Sequence, residues 1–424
     1  MKRRIGIALS GGGYRAAAFH LGTLRALDRL GILSKIDVIS SVSGGSILSA
    51  YYGLHKDESF EQIDAGFRQR LKKSSLSGFL INVLTVFVFP LILSYLVSSW
   101  FLLLYLMLIP FGFIIMPSSE LIAKAYDRIF FENKKLKDLP DYPIIGINST
   151  NIVKGRLFTF SKQDVGGFDY KKNGESVIHG ENIPLSFAVS CSTCVPSFFS
   201  PRRIAEEYFV SGEYRDNLLI DGGLYDNQGA YILSESSNKL YRVEDIIVSD
   251  AGNSEPSSKY ILNTFMLMYQ SIEVLMNRIR TIQIRKNIYQ NRYNETEDGL
   301  KFAYLSLRWD NPKSMPSRFI DNLKKGYVEK SVANLHQISD DDIYRLMNDS
   351  DSSVHNELKE KFEKSIDWQL LLSKAPSENE YSIAYRVCTN LTPLSEKQIN
   401  ALSAYADWLT EAQVKTYLPH LIRE

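Results

Sequence analysis

Apolar runs that alternate with helical patterns, joined by turns of small residues, organise the first part of the chain. Residues 5–9 predict a buried strand, and apolar residues recur at helical spacing over 16–30. The order repeats at 37–39, which predicts a second strand, and at 46–52, which begins a second helix. Together with a core strand predicted at 245–250, these elements indicate an α/β fold.

A glycine turn joins the first predicted strand to its helix. Gly11, Gly12 and Gly13 lie there, where backbone N–H groups and the helix dipole favour negative charge. Such a turn serves phosphate binding or oxyanion stabilisation, and the P-loop pattern is absent. The stretch from Gly11 to Ala16 also fits the loose dinucleotide pattern G-x-G-x-x-A, which needs an acid at the end of the second strand. Asp37 lies at the start of that strand, which disfavours this alternative.

The second turn carries a serine in the setting of a nucleophile elbow. Ser43 lies between a predicted strand and a predicted helix, with Ser41 two residues before it and Gly45 two residues after it. Small neighbours allow a tight turn that exposes the hydroxyl, and Gly44 supplies an amide for an oxyanion. Ser41 stands where the elbow pattern has glycine, and an ordinary serine- and glycine-rich turn is the alternative interpretation.

A third signal lies far downstream. Asp221 ends the apolar run 218–220 and is followed by Gly222 and Gly223, so its carboxylate can approach a partner loop as a general base. Taken alone, a turn at a strand end is the simpler interpretation, because Asp-Gly commonly makes one. No histidine lies in any of the three signals. The pattern therefore predicts a Ser-Asp dyad rather than a Ser-His-Asp triad.

In this order, the three signals resemble the motifs of the patatin-like phospholipase family. The stretches that carry the resemblance are 7–15, 37–46 and 221–223, with two further similar blocks at 145–157 and 188–201. Two residues depart from the family pattern: Ser41 in the elbow, and Ala16, where the family usually has glycine. The resemblance covers about residues 5–255.

The resemblance implies a patatin-like three-layer α/β/α sandwich with a mainly parallel central sheet, to which this chain adds a hydrophobic helical insertion and a helical C-terminal region. It implies a serine acyl hydrolase that cleaves ester-linked fatty acids from phospholipids or lysophospholipids. Neither a cofactor nor a metal is expected.

The resemblance also implies a role for each site residue. Ser43 attacks the ester carbonyl, Asp221 takes its proton directly, and water hydrolyses the resulting acyl-enzyme. The amides expected to hold the oxyanion are those of Gly11, Gly12, Gly13 and Gly44. Supporting positions are Arg15, Gly45, Gly222 and Gly223. Arg15 is expected to orient the glycine turn or to meet a lipid phosphate, with a helix-surface ion pair as the alternative.

One segment differs sharply from the rest of the chain. Residues 74–119 contain 46 consecutive residues without Asp, Glu, Lys, Arg or His, and basic residues flank them within 68–73 and 124–137. Because Ser43 and Asp221 must meet, both ends of the segment return to the same side, as a helical hairpin or a re-entrant insertion. The alternatives are a buried helical pair over the active site and an oligomer interface.

The chain is therefore expected to have three parts. Residues 1–73 and 120–255 form the catalytic core, 74–119 form the membrane-contacting insertion, and 256–424 form a mainly helical region packed on the core. Within the last part, 258–290 predict a long helix and 302–307 a strand. Ile272, Leu275, Met276 and Ile279 are predicted to lie on one apolar stripe of that helix, with Arg278, Arg280, Arg285 and Lys286 around it. A surface helix near anionic lipid is one interpretation, and a solvated charged face is the more usual one.

The composition and charge of the chain limit the classes of binding partner that are expected. The 424 residues carry 49 Lys and Arg against 48 Asp and Glu, a net charge of +1, so no nucleic-acid partner is expected. The expected partner is membrane phospholipid, with a homo-oligomer or a regulatory partner left open. No secretory signal precedes the first strand, so a membrane-associated protein on the cytoplasmic side of the inner membrane is expected. Three cysteines make no disulfide framework, and Cys191 and Cys194 are interpreted as packing residues rather than a redox pair.

Three alternatives stay open. A Ser-His-Asp hydrolase would draw its histidine from His336, His355 or His420, none of which lies in a supporting motif. An acyltransferase would use the same acyl-enzyme with a lipid alcohol in place of water. A catalytically weak, membrane-anchored scaffold would keep the fold without turnover.

Overall fold

The structure is a computed structural model that describes most of the chain. The described residues are 3–76, 92, 118–196, 198–252, 264–286, 299–309, 311–348, 352–389 and 391–423. The predicted insertion at 74–119 therefore lies almost entirely outside the described residues. Among the helices that are described, none combines the length and the apolar character that crossing a bilayer requires.

A mixed, mostly parallel sheet forms the centre of the described protein. Its strands are β1 Ile5–Leu9, β2 Val38–Val42, β3 Ile144–Asn151, β4 Arg156–Phe160, β7 Leu219–Asp221, β8 Asp245–Asp250 and β9 Lys301–Ser306, whereas β5 Lys171–Lys172 and β6 Glu175–Ser176 form a separate pair. The order across the sheet is β4-β3-β2-β1-β8-β9, and β7 pairs with β3. Strands β3, β2, β1, β8 and β9 are mutually parallel, and β4 and β7 are antiparallel to β3.

Strand β3 brings two distant parts of the chain together. β2 is parallel to the first part of β3 and ends with Val42 opposite Asn148. β7 is antiparallel to the last part of β3 and ends with Asp221 opposite Ser149. β4 pairs with this same part of β3 and so occupies its other edge. β2 and β7 therefore lie end to end along one edge of β3, and their C-terminal ends meet.

Helices and loops cover both faces of the sheet. Along β1, Ile7 and Leu9 belong to one hydrophobic core and Ala8 to another. Along β8, Ile247 belongs to the first core and Ile246 to the second. Because successive side chains of a strand point to opposite faces, the sheet is buried on both sides, as in a three-layer sandwich.

The helices pack around this sheet. In chain order they are α1 Gly13–Arg29, α2 Gly44–His55, α3 Phe60–Leu71, α4 Ser118–Tyr126, α5 Leu185–Thr193, α6 Gly223–Asp226, α7 Tyr231–Ser234, α8 Thr264–Ile284, α9 Met315–Lys324, α10 Lys330–Leu335, α11 Asp340–Asn348, α12 Ser352–Ser365, α13 Trp368–Ser373, α14 Glu378–Arg386, α15 Glu396–Tyr417 and α16 His420–Arg423. α1 is buried along most of its length and packs closely on α15. A Cβ atom on Gly22 would lie 1.9 Å from the carbonyl oxygen of Ser403, so glycine permits this close approach.

The predicted fold class is confirmed, with two refinements in the C-terminal region. The strand predicted at 302–307 is β9, which pairs with β8 and forms one edge of the central sheet. α8 is the described part of the helix predicted at 258–290. Of the apolar stripe predicted for it, Leu275 is exposed to solvent, whereas the Met276 side chain lies against Gly223.

Candidate active site

Ser43 lies on a sharp turn between β2 and α2. Its backbone has φ 50° and ψ −117°, a conformation that non-glycine residues rarely adopt. The backbone N–H of Ser43 donates to the Oγ of Ser192 at 2.9 Å. Ser192 Oγ donates in turn to the carbonyl oxygen of Asn148 at 2.5 Å. Hydrogen bonds from α5 and β3 thus hold this strained turn in place.

The turn at Ser43 packs against the glycine turn that follows β1. A Cβ atom on Gly44 would lie 2.0 Å from the carbonyl oxygen of Gly13, and one on Gly45 would lie 2.5 Å from a carbonyl oxygen of β1. A Cβ atom on Gly11 would lie 3.3 Å from the Cβ of Ser43. The N-termini of α1 and α2 consequently lie side by side next to Ser43, and their dipoles favour negative charge there.

The backbone amides of the two turns differ in whether they already donate a hydrogen bond within the protein. The N–H of Gly11 donates to the carbonyl oxygen of Asn227 at 2.9 Å. Within the described residues, the N–H groups of Gly12, Gly13 and Gly44 have no hydrogen-bond acceptor. Three of the four amides expected from the sequence are therefore available to an anion, and the fourth ties the glycine turn to the loop after α6.

Asp221 is a buried carboxylate with few partners. Its Oδ1 accepts the N–H of Gly223 at 2.7 Å, and its Oδ2 has no hydrogen-bond partner among the described residues. Burial raises the pKa of Asp221 to about 7, although the Gly223 amide and the Ser43 hydroxyl favour the ionised form. The carboxylate of Glu273 raises this pKa further. A carboxyl group of this kind can accept a proton at neutral pH.

Hydrogen bonds from two segments fix the end of β7. The N–H of Asp221 donates to the carbonyl oxygen of Cys194 at 3.0 Å, and Thr150 Oγ1 donates to the carbonyl oxygen of Asp221 at 2.9 Å. Ser149 Oγ donates to the carbonyl oxygen of Ile220 at 2.7 Å. The backbone on both sides of the carboxylate is thereby held.

These supporting residues were not predicted from the sequence. Ser192 and Cys194 lie in the similar block at 188–201, and Ser149 lies in the block at 145–157; only packing was expected of Cys194, and no role was expected for the two serines. Their signal in the sequence is the concentration of small and hydroxyl-bearing residues in both blocks. Such residues fit where backbones pack closely and hydroxyl groups must bind carbonyl oxygens.

Arg15 lies inside the protein rather than on the surface of α1. Its side chain donates to the carbonyl oxygens of Ala251, at 2.6 Å, and Val387, at 3.4 Å. Burial lowers its pKa to about 10, which leaves it charged at neutral pH. A Cβ atom on Gly12 would lie 3.2 Å from the Arg15 guanidinium. Arg15 thus ties the glycine turn to the end of β8 and to the C-terminal region.

The three histidines considered for a triad have their partners elsewhere. His336 lies between the Ser365 hydroxyl and the Thr416 carbonyl oxygen. His420 pairs with Asp245, at the start of β8, and the ring of His355 lies 3.6 Å from Asp321. In the described structure these side chains do not contact Ser43 or Asp221, so the geometry gives a Ser-His-Asp triad no support.

The C-x-x-C pair consists of buried free thiols. Burial raises the pKa of Cys191 to about 12 and the pKa of Cys194 well above its ordinary value, so both stay protonated and poorly reactive. Among the described residues, no three His, Cys, Asp or Glu side chains gather as a metal site would need. This agrees with the packing interpretation of the two cysteines.

A family model, described as patatin-like phospholipase, matches residues 7–233, which is more than half of the chain. No curated protein sequence matches the chain. Among solved structures, human GIVD cytosolic phospholipase A2 is similar in fold, with 13% sequence identity and a TM-score of 0.50, over 99% of this chain and 62% of that one. This chain thus spans less than two thirds of the human chain's length.

Two further structures are similar at lower scores. The human GIVD enzyme in complex with methyl gamma-linolenyl fluorophosphonate has 15% identity and a TM-score of 0.48, over 99% of this chain and 59% of that one. VipD from Legionella pneumophila has 13% identity and a TM-score of 0.32, over 97% of this chain and 92% of that one.

Proposed function

Because this chain belongs to the patatin-like phospholipase family, we propose that it is a serine acyl hydrolase that releases fatty acids from phospholipids or lysophospholipids. One observation carries the proposal. Ser43 on its strained turn lies at the meeting ends of β2 and β7, beside a buried carboxylate, Asp221, whose pKa is about 7. A nucleophile and a base with these properties are what ester cleavage through an acyl-enzyme requires.

The proposed reaction uses the side chains of the pair in two steps. Ser43 Oγ attacks the ester carbonyl carbon while its proton passes to Asp221 Oδ2, the oxygen that has no other partner. Asp221 then returns the proton to the leaving alkoxide, which departs as the lysophospholipid or, from a lysophospholipid substrate, as the glycerophosphodiester. Water attacks the acyl-enzyme, gives its proton to Asp221, and releases the fatty acid, after which the proton returns to Ser43.

The oxyanion is proposed to bind at the paired N-termini of α1 and α2. The amides of Gly12, Gly13 and Gly44 supply the donors, since no protein acceptor uses them in the described structure. A preorganised donor of this kind lowers the barrier by roughly 3–4 kcal/mol. Gly11 is proposed to act indirectly, because its amide anchors the turn to Asn227.

We also propose that the enzyme works at a membrane, on its cytoplasmic side. The support is the uncharged segment 74–119 with its basic flanks, which the sequence alone provides. In the proposed organisation, residues 1–73 and 120–255 form the core and 74–119 the membrane-contacting insertion. The region 256–424 is integral to the core, since β9 pairs with β8 and α15 packs on α1.

The proposal is tested with phospholipid vesicles and a lipid fluorophosphonate, a reagent that phosphonylates activated serines. We expect the wild type to release fatty acid and to be labelled at Ser43, and we expect Ser43→Ala to do neither. Asp221→Asn should lose roughly 10²- to 10⁴-fold in rate, the contribution typical of a general base.

The matched controls are Ser34→Ala and Asp57→Asn, which change an exposed serine and an exposed aspartate far from the turn. Both should behave as the wild type does. Full fatty-acid release by Ser43→Ala or Asp221→Asn would refute the dyad, and release by neither the wild type nor the controls would refute the hydrolase.

A further inference from the structure

Helix α8 has two unlike faces. Five of its apolar side chains are exposed by 50 to 63%: Leu267, Met268, Val274, Leu275 and Ile282. At about 100° per residue these five positions fall within an arc of about 120°. We refer to these five residues as the apolar arc. Large apolar side chains gathered on one exposed helix face are uncommon on soluble surfaces and mark interaction sites.

The opposite face of α8 lies against the candidate active site. The Met276 methyl group would lie 2.6 Å from a Cβ atom placed on Gly223, two residues after Asp221. Glu273, on the same face, lies near enough to act electrostatically on both Asp221 and Arg15. α8 therefore covers the turn that follows the carboxylate, and the apolar arc is the outer surface of that cover.

A buried ion pair fixes which face of α8 points outward. Arg280 Nε donates to Asp250 Oδ2 at 2.6 Å, and its Nη2 donates to Ser306 Oγ at 3.0 Å. Asp250 is fully buried at the end of β8. Turning α8 to bury the apolar arc would remove the guanidinium from this carboxylate and leave a buried charge without its counterion. The arc is thus held outward by the contacts of the inner face.

The charges on the outer face of α8 favour an anionic membrane over a second copy of the protein as its binding partner. Arg278 lies within the arc, and Arg285 and Lys286 are exposed just beyond the C-terminal end of α8. Within 264–286 the sequence has one acidic residue, Glu273, and that residue lies on the inner face. A second copy docked through the same face would bring like charges together, whereas anionic lipid headgroups would neutralise them.

We propose that α8 is an interfacial helix, which places its apolar arc in the headgroup region of a bilayer that contains anionic phospholipid. The proposal rests on the proposed function and deepens it, because it assigns a membrane contact beside the catalytic pair, separate from 74–119. The helix then holds the turn after Asp221, and with it the Ser43–Asp221 pair, close to the headgroup region of the bilayer.

The test reports on α8 itself, so that binding through 74–119 does not obscure it. The protein is the full chain with Ser43→Ala and Cys388→Ser, which remove turnover and the exposed native thiol. Leu275→Cys in this background carries an environment-sensitive fluorophore. The matched control places the same label at Leu370→Cys, a leucine on α13 that is also more than half exposed.

Vesicles of phosphatidylcholine with about one third phosphatidylglycerol should shift the emission of the label at 275 to the blue, and lipid-borne quenchers should reach it. The label at 370 should change little. Arg278→Gln with Arg285→Gln should weaken the response at 275 at least fivefold, as loss of two cations predicts.

Two outcomes would overturn the inference: an unchanged label at 275 on vesicles that the wild type hydrolyses, or a blue shift that grows with protein concentration without lipid, which indicates a second copy. Failure of the proposed function looks different. In that case the label at 275 enters the vesicle, but the wild type with Ser43 intact releases no fatty acid.

Discussion

Two buried aspartates, each at the C-terminal end of a strand of the central sheet, have opposite properties. Asp221 ends β7 and Asp250 ends β8, and both are almost fully excluded from solvent. Burial raises the pKa of Asp221 to about 7. Burial acts on Asp250 too, yet Arg280 and several hydrogen bonds outweigh it and hold the pKa of Asp250 below its ordinary value. Burial alone therefore does not decide the role of a carboxylate.

The difference lies in the partners. Asp250 accepts hydrogen bonds from four groups, namely Arg280, the Tyr304 hydroxyl, the Gln228 amide and the Gly252 N–H. Asp221 accepts the Gly223 N–H at Oδ1 and is favoured as an anion by the nearby Ser43 hydroxyl, but its Oδ2 has no hydrogen-bond partner within normal geometry in the described structure. A buried carboxylate whose oxygens accept several hydrogen bonds stays ionised and has a structural role. A buried carboxylate with few donors has a raised pKa and can accept a proton at neutral pH.

The largest effect on stability is expected from removing the negative charge of Asp250, the carboxylate with several hydrogen-bond donors. Asp250→Asn removes the counterion of the buried Arg280 guanidinium, so it should lower the free energy of unfolding by about 3–5 kcal/mol at pH 7. Chemical denaturation measures the change. Asp57→Asn, at an exposed carboxylate, is the control and should change stability by less than about 0.5 kcal/mol. A similar small change in Asp250→Asn would contradict the comparison.

The corresponding substitution of Asp221 is expected to stabilise the protein rather than destabilise it. The pKa of Asp221 is raised in the folded state, so the native protein binds this proton more tightly than the unfolded chain does. The stability from this group is present in acid and is lost as pH rises through about 7. Asp221→Asn should therefore raise the free energy of unfolding at pH 8 by about 2–4 kcal/mol.

The gain in Asp221→Asn should shrink as pH falls towards 4, because the native carboxyl is then protonated and the carboxyl of the unfolded chain, with an ordinary pKa of 3.8, becomes protonated as well. Denaturation at pH 5 and pH 8 separates this from a general packing effect, which would not depend on pH. A destabilised Asp221→Asn at pH 8 would show that the carboxylate is satisfied after all.

The smallest expected effect is the pH dependence of the reaction. The base must be ionised to take the Ser43 proton, so kcat/KM on a soluble short-chain ester should fall about tenfold per pH unit below pH 7 and level off above it. Asp57→Asn should keep the same midpoint. A rate that does not change between pH 5 and pH 8 would exclude Asp221 as a base with this pKa.

Local signals explain what the sequence could predict. Strand, glycine turn and helix follow one another within a few residues at Gly11 and again at Ser43, so each unit is visible without knowledge of the rest. The same holds for β8 and for the apolar run that ends at Asp221. The fold class follows from these units, because parallel strands with intervening helices have few ways to pack.

Non-local pairings explain what the sequence could not predict. The alignment of β2 and β7 along β3 depends on the register between strands far apart in the chain. The use of the Gly11 amide by Asn227 requires contacts over similar distances. The outward direction of Leu275 follows from an ion pair between α8 and β8, and helical periodicity alone cannot tell which apolar stripe will be buried.

Because β2 and β7 lie end to end along β3, the geometry of the site depends on the register of β7 on β3. Side chains alternate between the two faces of a sheet, so a slip of β7 by one residue along β3 would turn Asp221 to the far face. A slip of two residues would restore the face but move the carboxylate by about 7 Å, beyond the reach of a proton transfer. An insertion or deletion in the chain that leads into β7 must therefore be accommodated in a loop. If it shifts the register of β7 instead, Asp221 moves out of reach of Ser43 and the catalytic pair is lost completely.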